Sequence, residues 1–123
     1  IWVALLINVI MFVVPHLNNN GVSVLPVIQI ALMGLATGIM VCFYDSLWMA
    51  IGIHTAWNFT QNFIYGLPNS GHASESSILQ LEDASDSIFY DTVFGIEGTI
   101  TAMIFFVILC VALLLIARKV KRV

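Results

Sequence analysis

Long apolar runs alternate with short polar breaks along this chain, and four runs stand out. The first, IWVALLINVIMFVVPHL, covers residues 1–17 and ends at the turn signal Asn18-Asn19-Asn20-Gly21. The second, Val24 to Tyr44, carries Pro26 in its first turn, where a missing N–H costs little. The third, SLWMAIGIHTAWNFTQNFIYG, runs from Ser46 to Gly66, with Ser46 placed to cap it after a short turn at Asp45. The fourth runs from about Ile96 to Ala117. The last three have about the 20 residues that cross a hydrocarbon core, and in lipid an open-ended segment must be helical. The pattern predicts an all-α, polytopic transmembrane bundle of about four spanning helices, one domain over residues 1–123.

Composition agrees. Of 123 residues, 60% are hydrophobic and 9% charged, more apolar surface than a soluble domain of this size can bury. Net charge is −3 with no basic stripe, so nucleic acid is not an expected partner; the lipid bilayer is. Cys42 and Cys110 lie in apolar runs and read as small packing residues. Residues 67–95 hold five acids, several serines and no Lys or Arg, and read as an acidic solvated loop with a short helix near Ser77–Glu82. His72 in that loop reads as solvated. The only cationic cluster is Arg118, Lys119, Lys121 and Arg122, and the positive-inside rule places this 118–123 tail in the cytoplasm and the acidic loop outside. The chain begins at Ile1, inside an apolar run, and is expected to continue upstream.

Some residues do not suit a hydrocarbon environment. In the third run, at about 100° per residue, His54, Asn58 and Gln61 form one stripe with Asn62 at its border, while Ile51, Phe59 and Phe63 lie opposite. Such a stripe faces other helices or a watery cavity. It is either an interhelical hydrogen-bond network, about 0.6 kcal/mol per bond, or a functional site. His16 ends the first run one turn after Phe12. If the first three runs span, the first and third are parallel, and two imidazoles and an amide could converge on one water or one carbonyl. Gly34 and Gly38 in GLATG have the small-xxx-small spacing that lets a helix approach.

Phe12-x-x-x-His16 followed by His54-x-x-x-Asn58 resembles the second and third motifs of the CPBP intramembrane proteases, also called the CAAX-protease or Abi-like family, which includes bacteriocin-processing and immunity proteins. MFVVPHL, GLATGI, SLWMAIGIHTAWNF and FGIEGTI are similar to the family's text over nearly the whole chain. The resemblance implies an endopeptidase of a bacterial plasma membrane, acting on a peptide or prenylated-protein substrate. His16 would hold or activate water, and His54 and Asn58 would stabilise the oxyanion. The family's first motif, Glu-Glu-x-x-x-Arg, supplies the water-activating glutamate and is absent from these 123 residues, so the chain alone is expected to be inactive. His16 and His54 would be the donors to a divalent metal such as zinc, if one is used. Glu97 is expected to complement a helix N-terminus. The alternative is a non-catalytic immunity or peptide-binding membrane protein that keeps the fold. A transporter would be expected to show broken helices or repeated halves.

Overall fold

The computed structural model describes residues 1–81 and 83–120, without the side chain of Val120. Four α-helices form: α1 (Trp2–Val13), α2 (Val24–Tyr44), α3 (Leu47–Asn58) and α4 (Ile100–Val120). No strand occurs among the described residues, only isolated bridges at Asn69–His72 and Asp91–Gly95.

The four apolar runs become the four helices, but they are not four equal spans. Among the described residues, only α2 and α4 are long and apolar enough by themselves to cross a membrane. The α1 helix tightens into a 3-10 turn at Val14–His16, with Pro15 inside it. Ser46 caps α3 as its sequence predicts, its hydroxyl accepting the Met49 N–H at 3.1 Å. After Asn58 the third run leaves α geometry and continues as a π-helix over Phe59–Ile64. The Tyr65 N–H closes it by donating to the carbonyl five residues back, on Thr60, at 3.1 Å.

The central helix is α2, packed on α1, α3 and α4. Its two glycines are why α1 lies so close. A Cβ on Gly34 would stand 3.0 Å from the Phe12 Cβ, and one on Gly38 would stand 2.9 Å from a Leu5 methyl. The approach lets Asn8 donate to the Gly34 carbonyl at 2.7 Å. On the other side, Phe106 and Cys110 of α4 join Met33, Ala36 and Ile39 of α2 in the core. Both cysteines are free thiols, Cys110 buried and Cys42 half-buried.

The loop after the third run folds back on the bundle. The helix expected near Ser77 does not form over the described residues 77–81, because the Ile78 and Leu79 N–H groups donate to the Phe63 and Ile64 carbonyls. Glu82 lies outside the described residues. Leu67 and Phe94 are buried, while residues 83–89 are exposed. The α4 helix begins three residues after Glu97 and is capped by Thr99, whose hydroxyl accepts the Ala102 N–H at 3.1 Å. Arg118 and Lys119 are exposed in its last turn, while Lys121 and Arg122 lie outside the described residues.

Candidate functional site

The end of α1, the junction of α3 with the π-helix, and one tight turn of the loop enclose a cavity of about 390 Å³. His16 and Asn58 are in its wall, with Asn19, Asn62, Ser70 and His72 among their neighbours. His54 is not in the wall. It stands behind Asn58, whose amide nitrogen lies 3.2 Å from the His54 Nε2.

Phe12 explains how two histidines on different helices come together. Its ring stacks on His16 one turn later, with centroids 5.5 Å apart and planes 25° apart. It also meets His54, at 5.2 Å and 60°. The imidazoles are thus separated by one phenyl ring. The Phe12–His16 spacing puts both rings on one side of the helix end, and Gly34 seats Phe12 against α2.

Hydrogen bonding constrains the protons. The His16 Nδ1 is 2.7 Å from the Phe12 carbonyl. A carbonyl only accepts, so Nδ1 carries hydrogen and the neutral ring keeps a lone pair on Nε2. In the His54–Asn58 pair, the amide N–H donates to a bare Nε2. If the amide is turned over, Oδ1 accepts from a protonated Nε2 instead. In both arrangements Asn58 keeps at least one N–H free. Its Oδ1 is buried and has no partner in the first.

The stripe inferred from ideal helix geometry is corrected by the π-helix. A turn closed by i→i+5 bonds is wider, so each residue advances less around the axis. Asn62 therefore joins Asn58 at the cavity. Gln61 leaves it and is buried, lining a separate, apolar cavity with Ile53, Trp57 and Phe105. Phe59 and Phe63 face outward and stack on each other at 5.0 Å, as their place opposite His54 predicts.

His72, expected to be merely solvated, is exposed yet sits in the cavity wall. It is brought there by the two-residue turn Ser70-Gly71, with φ of 50° and 83°, closed by reciprocal Asn69–His72 backbone bonds of 2.9 and 3.0 Å. Left-handed conformation at both central residues is the signature of a type I′ hairpin turn, legible in Asn-Ser-Gly-His. The turn docks on Asn18–Gly21: Asn19 donates to the Ser70 carbonyl at 2.8 Å.

Glu97 also departs from its expected role. Its carboxylate does not serve the N-terminus of α4. One oxygen accepts the Trp57 indole N–H at 2.8 Å and the other the Ser70 hydroxyl at 2.5 Å. A zinc site needs three protein donors and an open position. Among the described residues no three of His, Cys, Asp and Glu are grouped to hold an ion. His16 and His54 are two donors, one short of such a set among the described residues.

Comparison with known families matches residues 1–60 to one described as Type II CAAX prenyl endopeptidase Rce1-like. The match takes in α1, α2 and α3, and with them Phe12, His16, His54 and Asn58. It ends before Glu97. No curated protein and no solved structure matches the chain.

Proposed function

We propose that this chain, whose residues 1–60 match the family described as Type II CAAX prenyl endopeptidase Rce1-like, carries the water-binding and oxyanion side of an intramembrane peptidase acting on prenylated protein or peptide substrates. One observation supports it most: His16 and Asn58, far apart in sequence, share one polar cavity wall, with His54 bonded behind Asn58.

In this mechanism the His16 Nε2 accepts a hydrogen bond from the attacking water. The water's proton passes to the glutamate of the family's Glu-Glu motif, which these 123 residues do not contain. The water oxygen bonds to the scissile carbon, and charge develops on the carbonyl oxygen. The free Asn58 N–H, held by His54, donates to that oxygen. Collapse of the tetrahedral adduct breaks the C–N bond, and the proton leaves on the amine. Donors pre-aimed at the oxyanion are commonly the largest single contribution to acyl transfer.

The apolar faces of the bundle support a site within a membrane. We read α1 with its 3-10 turn and α3 with its π-helix as spanning beside α2 and α4. The basic end of α4 is then cytoplasmic, and the bilayer is a bacterial plasma membrane.

The test is cleavage of a prenylated CAAX peptide in membranes by a protein that joins this chain to the family's Glu-Glu motif, wild type beside His54→Ala and Asn58→Ala. Cleavage by wild type, and its loss in both variants with helix content unchanged, is the expected result. Equal cleavage by all three removes the pair from the chemistry. Saturable binding without cleavage by any preparation containing the Glu-Glu motif supports a non-catalytic binding protein instead.

A further inference from the structure

We propose that Glu97 is a positioning residue for this cavity, clamping the turn at Ser70 to the helix that carries His54 and Asn58; the assignment rests on the peptidase reading above.

Glu97 is 4% exposed, the most buried acid among the described residues. A carboxylate so placed loses hydration and must recover it from donors. The described cations Arg118 and Lys119 are at the far end of α4, about 30 Å away by helix rise. The recovery comes from two neutral donors instead, one for each oxygen: the Trp57 indole and the Ser70 hydroxyl. One donor, Ser70, is in the cavity wall, and the other, Trp57, is on the helix that brings Asn58 to it. Trp57 immediately precedes Asn58 and is itself wedged against Phe106, edge to face at 5.0 Å. Ser70 lies in the cavity wall, and its carbonyl is held by Asn19 from the α1–α2 turn.

One chain of contacts therefore runs from α3 through Glu97 and Ser70 to the end of α1, where His16 sits. Glu97 is not in the cavity wall, so its role there is to hold the residues that are. Docking of the turn on the α1–α2 connection also explains its glycine. A Cβ on Gly71 would stand 2.1 Å from the Asn20 carbonyl oxygen, so the turn seats flush only without one.

Glutamine at this position can still accept from Trp57 and can donate to the Ser70 oxygen, whereas alanine can do neither. The experiment uses the chain joined to the family's Glu-Glu motif, in membranes with a prenylated CAAX peptide, and hydrogen exchange of the His72 amide, which the turn protects. Glu97→Ala is expected to lower kcat at least tenfold, with a smaller change in KM, and to speed exchange at His72. Glu97→Gln is expected to stay within about threefold of wild type in both. Trp57→Phe, which removes one donor and keeps the aromatic packing, is expected to fall between them, and it carries the test if the alanine variant does not fold. Gln as inactive as Ala with the turn still protected would make Glu97 a proton-transfer group and overturn the proposal. So would an alanine variant unchanged in both measurements. If wild type cleaves nothing while His72 exchange responds as stated, the peptidase reading fails and the clamp stands.

Discussion

At the scale of single residues, two one-turn spacings set the side-chain contacts beside the cavity. His-x-x-x-Asn and Phe-x-x-x-His place side chains one turn apart on a helix, and the structure shows both contacts. Which nitrogen of His16 bears hydrogen depends on the Phe12 carbonyl, a backbone group with no trace in the text of the sequence. The hydrogen-bond partners of Glu97 are hidden for a related reason: they are 40 and 27 positions away. Asn58→Ala is expected to raise the barrier for peptide cleavage by about 2.7–4 kcal/mol, the typical cost of one oxyanion donor. Single-turnover cleavage in membranes measures it, and a change below threefold would take Asn58 out of the oxyanion site. Gly34→Ala acts one step back. Its new methyl meets Phe12 at 3.0–3.4 Å, so the ring between the histidines must shift. Overpacking of this kind costs about 1–3 kcal/mol. Thermal unfolding should fall accordingly, and cleavage should fall further than stability alone explains.

At the scale of elements, the starts and lengths of α2 and α3 follow from Pro26, Ser46 and the apolar runs themselves. The π-helix does not, because nothing in Phe59–Ile64 distinguishes a wide turn from an α turn by composition. At its end the Phe63 and Ile64 carbonyls, left over by the helix, serve Ile78 and Leu79 of the loop. The Ser70-Gly71 turn is different: its chemistry is local, and Gly71→Ala is expected to break it. The residue has φ of 83°, and the added methyl collides with the Asn20 carbonyl. Faster exchange at the His72 amide, with α2 exchange unchanged, is the outcome to look for. Farther along, the Thr92 N–H and hydroxyl both donate to Asp86 at 2.8 Å. They hold its carboxyl below the ordinary value of 3.8, the backbone bond contributing most. A depressed carboxyl stabilises the fold at pH above its ordinary value, and that contribution is lost as pH falls through the depressed one. The Thr92 amide should therefore keep its resonance position down to about pH 4 and move below it. In Asp86→Asn that movement should vanish.

At the scale of the whole molecule, the sequence marks a membrane bundle plainly but not which faces pack inward. The α4 helix is apolar all round, so its periodicity is silent. The structure buries Ala102, Phe106, Cys110 and Leu113, and leaves Ile104, Ile108, Val111 and Leu115 outward. The outward face is as apolar as the core, as a lipid-facing helix requires. The helix is 21 residues long, about 30 Å, which matches one hydrocarbon thickness. The cavity lies at the Glu97 end, because the end of α1, the end of α3 and the start of α4 meet there. At the opposite end Tyr44 of α2 donates to the Leu113 carbonyl at 2.7 Å. If α4 crosses the bilayer once, the two ends are separated by the membrane whatever the orientation. Cysteines placed at Glu75 and at Lys119, both exposed positions, should then react with a membrane-impermeant maleimide from opposite sides in sealed vesicles. The basic residues at 118–119 predict that the Lys119 site is the cytoplasmic one. Cys42 and Cys110, half-buried and buried in apolar helices, set the background. Labelling of both sites from one side would mean that α4 does not span, and the cavity would then belong to a bundle lying on the membrane rather than through it.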